Sequence, residues 1–291
     1  MSNSSEITET SPEDNRTLKD KVLHELREWA VTLLIFIPAF YLFSFLIYEQ
    51  RVIPSESMVP NLQVGDRVAV NKFAYGYSRY SLPWGAWRLI PDGDGRVFGS
   101  KPERGDVAVF MHPHTDRVMI KRIIGLPGDR VQMIDEQLFL DGEPIERDFI
   151  RRITYTPHDF RGRETAREYR ETIGEKSWLT HQWQQGPSQI RSLDSTPIFE
   201  VPEGHYLFIG DNRDNSEDGR SVTGHCPTDS EGVIDEAGCE LPPGVSAERA
   251  SVGFVPAENL IGRADTVLLS TYSCSNANAD PCMKKRLWRG L

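Results

Sequence analysis

At 291 residues the chain is long enough for one large or two modest domains with a sizeable buried core. A net charge of -10 and a pI near 5.3 argue against a nucleic-acid partner, which calls for a basic face. Four cysteines, none at CxxC spacing, argue against a zinc or dithiol redox site.

Residues 1–28 hold much Ser, Thr and Glu and are expected to be a disordered cytoplasmic leader. Ala30 to Tyr48 carry no charge over 19 positions, which as a helix reaches about the 30 Å of a bilayer core. A transmembrane helix over 29–49 is therefore predicted. A cleaved export signal is the competing reading. The run is too long for one, seven acidic residues precede it, and no small-x-small pair stands before Glu49. Pro38 is tolerated as a kink, and Trp29, Tyr41 and Tyr48 suit the two interfaces. Lys19, Lys21 and Arg27 before the helix, against Arg51 and Arg67 after it, put the N-terminus in the cytoplasm and the remainder across the membrane. Cys226, Cys239, Cys274 and Cys282 all lie in that exported part, as an oxidising compartment allows. Of their three possible pairings the local one, Cys226 with Cys239 and Cys274 with Cys282, is the expectation.

Past the helix, short strand patterns separated by turn residues predict a mostly antiparallel β core over 50–140 and 200–275. Val68 and Val70 alternate with polar residues, and further strands are expected at 106–110, 118–124, 131–134 and 205–209. Gly125-Leu126-Pro127-Gly128-Asp129 reads as a turn. Between Ala74 and Ser100 the chain is rich in Gly, Pro and aromatic residues (Tyr75, Tyr77, Tyr80, Trp84, Trp87). These form either a loop with its own small cluster or rings at the membrane interface. The charged stretch 141–199 reads as an inserted β subdomain, and 221–252 as an acidic insertion carrying two cysteines. The tail 276–291 is basic: a solvated tail is the plain reading, contact with anionic lipid the alternative.

Chemistry concentrates in two places. Ile53-Pro54-Ser55-Glu56-Ser57-Met58-Val59-Pro60 holds two serines one residue apart between prolines, whose hydroxyls share a side if the backbone is extended. Such a pair is by itself an ordinary turn. Lys121, on a predicted strand, shares its face with Met119 and Ile123 while Arg122 points away. Burial disfavours the charged amine, and a neutral amine against Ser57 could take its proton without any histidine. The plain alternative is a lysine that reaches solvent. No GxSxG surrounds a serine, and Pro60 stands where an SxxK motif needs lysine. His112-Pro113-His114 offers two imidazoles without a carboxylate pair, which reads as surface residues rather than a metal site.

The ordered set of the membrane helix, Pro54-Ser55-x-Ser57-Met58-x-Pro60, Gly65-Asp66, Arg104-Gly105-Asp106-Val107, Lys121-Arg122-x-x-Gly125-Leu126-Pro127-Gly128-Asp129 and Gly210-Asp211-Asn212-Arg213-Asp214-Asn215-Ser216-x-Asp218-x-Arg220 resembles the boxes of bacterial type I signal peptidases. The likeness continues through Gly253-Phe254-Val255-Pro256 to Ala264. It implies a serine-lysine endopeptidase, needing no metal or nucleotide, that removes signal peptides from exported preproteins after small-x-small sites. By position Ser57 is its nucleophile, Lys121 its base, Ser55 an oxyanion-hole hydroxyl beside the Ser57 N–H, and Ser216 the hydroxyl orienting the lysine. Asp218 with Arg220 would brace that corner, and Ile53, Met58, Leu62, Val68 and Ile120 would line the substrate pockets. An ordinary β core would hold such apolar residues too. The resemblance implies that the peptide binds as an added strand, with preprotein signal peptides and the lipid bilayer as partners and the catalytic part on the outer face of a bacterial inner membrane.

Three departures stand out. Glu56 takes a place often filled by glycine and is expected to face solvent; Gly219 replaces a common serine; and the 221–252 insertion interrupts the run to the Gly-Phe-Val-Pro strand. Alternative functions are a dedicated serine-lysine maturation peptidase for a pilus or conjugation client, a self-cleaving repressor-type protease, which the membrane helix speaks against, and a catalytically dead membrane-tethered binding module, which the retention of Ser57 and Lys121 opposes.

Overall fold

A computed structural model describes residues 18–82, 96–155, 163–183, 193–221, 227–234, 252–270 and 287–291. Trp84, Trp87, the four cysteines with their expected pairing, and most of 221–252 and 276–291 fall outside the described residues.

Helix α1 spans Leu18–Leu46 and runs unbroken through Pro38. It starts well before the expected boundary, so residues 18–28 are helical rather than disordered. The reason is local: eight of the twelve residues from Leu18 to Trp29 are Leu, Lys, Glu or Arg, all strong helix formers, with Asp20 in the first turn where the helix end is positive. The segment Leu18–Phe43 is long and apolar enough to cross a membrane. Its large apolar side chains are exposed, Leu34 at 75% and Phe40 at 67%, a surface that only lipid or another apolar partner could cover. The chain divides at Ser44 into this helical unit and a second unit, Phe45–Leu291.

The second unit is antiparallel β. Its first strands are β1 (Tyr48–Val52), β2 (Asp66–Asn71), β3 (Val107–Met111) and β4 (Val118–Gly125). Then come β5 (Arg130–Ile134), β6 (Gln137–Leu140), β7 (Glu143–Pro144), β8 (Glu146–Tyr155), β9 (Glu164–Ile173) and β10 (Lys176–Trp183). The last are β11 (Phe199–Glu200), β12 (His205–Ile209), β13 (Phe254–Pro256), β14 (Leu260–Ser270) and β15 (Leu287–Gly290). The main sheet runs in the order β1-β2-β14-β3-β4-β12-β13, with β15 on the long strand β14. The strands expected from sequence fall on β2, β3, β4, β5 and β12, and the alternation of Val68 and Val70 buries both side chains completely.

Two smaller sheets fill the chain between β4 and β12, β10-β9-β8 and β11-β5-β6-β7. The boundary expected at residue 141 falls inside the second of these, because Leu140 and Phe139 pair onward with Glu143 and Pro144, and Phe199 returns to pair with Val131. An apolar cluster that includes Ile124, Val131, Met133, Leu138, Phe199 and Leu207 seals this sheet onto the main one. Tyr75, one of the rings considered for a membrane interface, is instead 1% exposed, with its phenol donating to Asp106 at 3.0 Å. His112 is likewise 1% exposed, not a surface residue.

Gly262 on β14 marks how tightly the main sheet closes: a Cβ there would lie 2.5 Å from the Asn71 carbonyl oxygen and 3.0 Å from Lys72 Cα, both backbone atoms. Gly262→Ala is expected to lower stability by about 1–3 kcal/mol through overpacking, read as a lower denaturant midpoint of the solubilised chain.

Candidate active site

Ser57 lies in the segment joining β1 to β2. The extended run expected over 53–60 is not formed; the backbone bends at Ser55 and Glu56 and turns from Ser57 to Asn61. The Val59 N–H donates to the Glu56 carbonyl at 3.0 Å and the Leu62 N–H to the Met58 carbonyl at 2.9 Å, while Met58 and Leu62 drop fully into the core. Ser55 and Ser57 nevertheless place their hydroxyl oxygens 3.4 Å apart, because the turn folds them together. The Ser57 carbonyl accepts the Asn212 N–H at 3.1 Å. The Ser57 N–H is engaged by no hydrogen bond among the described residues.

Lys121 sits on β4 opposite Ala108 of β3, 4% exposed, and its Nζ lies 2.5 Å from Ser57 Oγ. Burial pulls the amine down from 10.5 to about 8, against the opposing charges of Asp218, Glu217 and Asp211. That fall corresponds to about 3 kcal/mol in favour of the neutral form. An amine so placed can hold the serine proton.

The charge that would most oppose this is neutralised elsewhere. Asp218 takes both arms of Arg220, Nε to Oδ1 at 2.9 Å and a terminal nitrogen to Oδ2 at 2.9 Å, and also accepts the Gly210 N–H at 2.8 Å. Burial alone would raise this carboxyl, but the Arg220 charge and these hydrogen bonds hold it below the usual carboxylate range. The Ser216 hydroxyl oxygen is buried and forms no hydrogen bond of good geometry, so the expected bond to the lysine is absent. It packs over Gly210, where a Cβ would fall 2.1 Å from it, and its influence goes to Asp218, whose carboxyl it helps keep low.

Glu56, expected in solvent, is 8% exposed. Its carboxylate receives the Asn215 amide at 3.4 Å and its carbonyl the Asn212 amide at 3.1 Å, so the asparagines of the 210–216 loop draw it inward. The charges that act most on Lys121 are those of Asp218, Glu217, Asp211 and Arg117.

A cleft of about 570 Å³ opens beside the pair, lined among others by Pro54, Ser55, Met119, Ile120 and Asp214. Of the five residues expected to line substrate pockets, only Ile120 borders it. Ile53, Met58, Leu62 and Val68 are fully or almost fully buried in one apolar cluster, with Ile120 packed against it; strand and turn geometry turn them inward, behind the wall.

Asp211 lies within the Gly210 to Arg220 box, whose sequence assigns it no role. Its carboxylate accepts Arg122 Nε at 2.8 Å and a terminal Arg122 nitrogen at 2.7 Å, and the Asn61 amide at 2.7 Å. It thus ties the residue after Lys121 to the turn after Ser57. The Arg122 guanidinium also lies over Trp178, 4.7 Å from the ring centre. Asp214, pushed up to about 6 chiefly by burial, accepts the Gln182 amide at 2.9 Å and the Trp183 N–H. The signal for either acid was its place in the Gly210 to Arg220 box. Among the described residues no group of three or more His, Cys, Asp or Glu could hold a metal ion.

Residues 26–269 match the family described as signal peptidase, peptidase S26. The chain is 34% identical over 234 residues to a signal peptidase I of Rickettsia akari, covering 79% of this chain and 74% of that one. Against a signal peptidase I of Rickettsia bellii it is 33% identical over 268 residues, covering 91% and 78%. A crystal structure of a signal peptidase I from Enterococcus faecalis aligns at 21% identity over 56% of this chain and 97% of that one, with a TM-score of 0.27, too loose a superposition to build on. The chain is thus a serine endopeptidase. It belongs to the signal peptidase family, peptidase S26, whose work is the cleavage of signal peptides from preproteins.

Arg220→Gln leaves Asp218 buried without its cation and is expected to cost about 3–5 kcal/mol of stability, measured as a drop in denaturant midpoint. Arg220→Lys, which restores a charge without the two-armed fit, should recover part of it.

Proposed function

We propose that the chain cleaves signal peptides with Ser57 as nucleophile and Lys121 as general base, in the manner of signal peptidase I. The observation that carries this reading is the Lys121 amine, buried, held near 8 and 2.5 Å from the Ser57 hydroxyl. Deprotonated, it accepts the hydroxyl proton as Oγ attacks the scissile carbonyl, and the resulting ammonium can return that proton to the leaving amine. The unengaged Ser57 N–H and the nearby Ser55 hydroxyl are suitably placed donors for the oxyanion.

The cleft favours an extended peptide. Strand β12 pairs with β4 only as far as Arg122, so among the described residues the Val118–Lys121 edge has no partner on that side. A peptide laid there gains main-chain hydrogen bonds as an added strand. Behind Ile120 the wall is filled by Ile53, Met58, Leu62 and Val68. Pockets backed by packed side chains are shallow and admit small residues, which supports cleavage after small-x-small sites. The apolar helix anchors the chain in the membrane as a single span, with the N-terminus cytoplasmic and the catalytic unit on the outer face. There a preprotein delivers its cleavage site at the bilayer surface.

Ser57→Ala and Lys121→Ala are each expected to reduce preprotein cleavage, with product termini mapped, by at least about 1,000-fold while the fold persists. Near-normal turnover in either variant would refute the pair. Since the base works uncharged, kcat/KM should rise with pH through about 8 and fall about tenfold per pH unit below it. Ser55→Ala should lower kcat about 100- to 1,000-fold with little change in KM.

A further inference from the structure

One ion pair crosses the cleft. Arg117 stands just before β4, and Glu217 directly follows Ser216, a hundred residues later; both line the cleft with Ser57 and Lys121. Their two nitrogen–oxygen contacts measure 3.2 and 3.5 Å. Thr115 steadies the arginine, its hydroxyl oxygen receiving the Arg117 N–H and Nε at 3.4 Å each. The side chains are 51% and 50% exposed, so water screens the pair and it opens at little cost.

Two features give that opening a consequence. First, a peptide on the unpaired Val118–Lys121 edge runs toward Arg117, four residues or about 13 Å of extended chain from Lys121. It therefore meets the bridge within about four residues of its cut. Second, one acid at this end lacks an ion-pair partner among the described residues. Asp218 belongs to Arg220, while Asp214 has no cation within ion-pair distance among the described residues and accepts only N–H groups from Trp183 and Gln182. With the bridge open, Glu217 has no cation of its own among the described residues, and the cation that acts on Asp214 is Arg220, already held by Asp218.

We propose that the Arg117–Glu217 pair is a displaceable latch across the substrate cleft, and that Glu217, once released, receives a basic side chain of the bound peptide close to the scissile bond. This rests on the reading of the cleft as the peptide site. A substrate lysine or arginine supplies the released Glu217 with a cation, whereas an acidic side chain meets the carboxylates of Glu217 and Asp214 in the same cleft.

The test uses the full chain in detergent micelles and peptides carrying Lys, Gln or Glu at each of four positions on either side of the cut, with kcat/KM measured at low and high salt. At one position Lys is expected to exceed Glu by about fivefold or more, the ratio shrinking as salt rises. Glu217→Gln should abolish that ratio, and Arg117→Gln, which removes the competitor for Glu217, should enlarge it. An unchanged ratio in Glu217→Gln, or cleavage indifferent to charge at every position, would overturn the latch while leaving the peptidase reading intact. Failure of the unaltered chain to cut any peptide would overturn both.

Discussion

A lysine amine kept out of water and against a serine oxygen is the constraint on which this molecule turns. Desolvation drives the amine toward neutrality, while every nearby carboxylate works in the opposite direction. The structure resolves the conflict by giving the acids other partners. Asp218 is committed to Arg220, and Asp211 to Arg122 and Asn61. Both pairs are nearly inaccessible to solvent, where an unpaired charge would be far costlier than the pair itself. The acids still raise the amine somewhat, and the balance near 8 leaves a base suited to mildly alkaline conditions.

Geometry is held by the same groups that settle the charges. Asp211 clasps Arg122, next to Lys121, and Asn61, four residues past Ser57, so one carboxylate sets the distance between the two halves of the pair. The loop that carries it is fastened from the far side by β10. The His181 N–H donates to the Asp211 carbonyl and the His181 carbonyl accepts the Arg213 N–H, both at 2.9 Å, and the Leu179 carbonyl takes the Asn61 amide at 2.7 Å. Buried Arg213 reaches Glu171 on β9. The three-stranded sheet is therefore continuous with the catalytic loop through backbone hydrogen bonds. Gly210 allows this closeness, since any side chain there would collide with Ser216 and with the Ser57 carbonyl.

Much of this was legible in the residues. The apolar run, the alternation around Val68, and the strands on either side of the Gly125–Asp129 turn depend on local periodicity and turn chemistry, which act within a few positions. Lys121 could be singled out because it shares its strand face with Met119 and Ile123, though only the fold decided that it would be buried rather than reach solvent. Less legible were features set by distant partners. The 53–60 segment looked extended and is a turn, because the burial of Met58 and Leu62 outweighs the local pattern. Glu56 looked like a solvent residue until Asn212 and Asn215 met it. Ser216 was assigned to the lysine by its motif, yet its hydroxyl settles over Gly210 beside Asp218.

By itself the sequence determined the inventory: an apolar helix, a β body, a serine and a strand lysine within recognisable boxes, because these follow from residue type and short-range spacing. Tertiary structure alone decided that Asp211 would answer Arg122 and Asn61, that Ile53, Met58, Leu62 and Val68 would stand behind the cleft wall rather than in it, and that Arg117 would reach Glu217 across it. Those outcomes join positions tens to a hundred or more residues apart. Only the folded sheets bring such positions within the few ångströms over which hydrogen bonds, ion pairs and desolvation act.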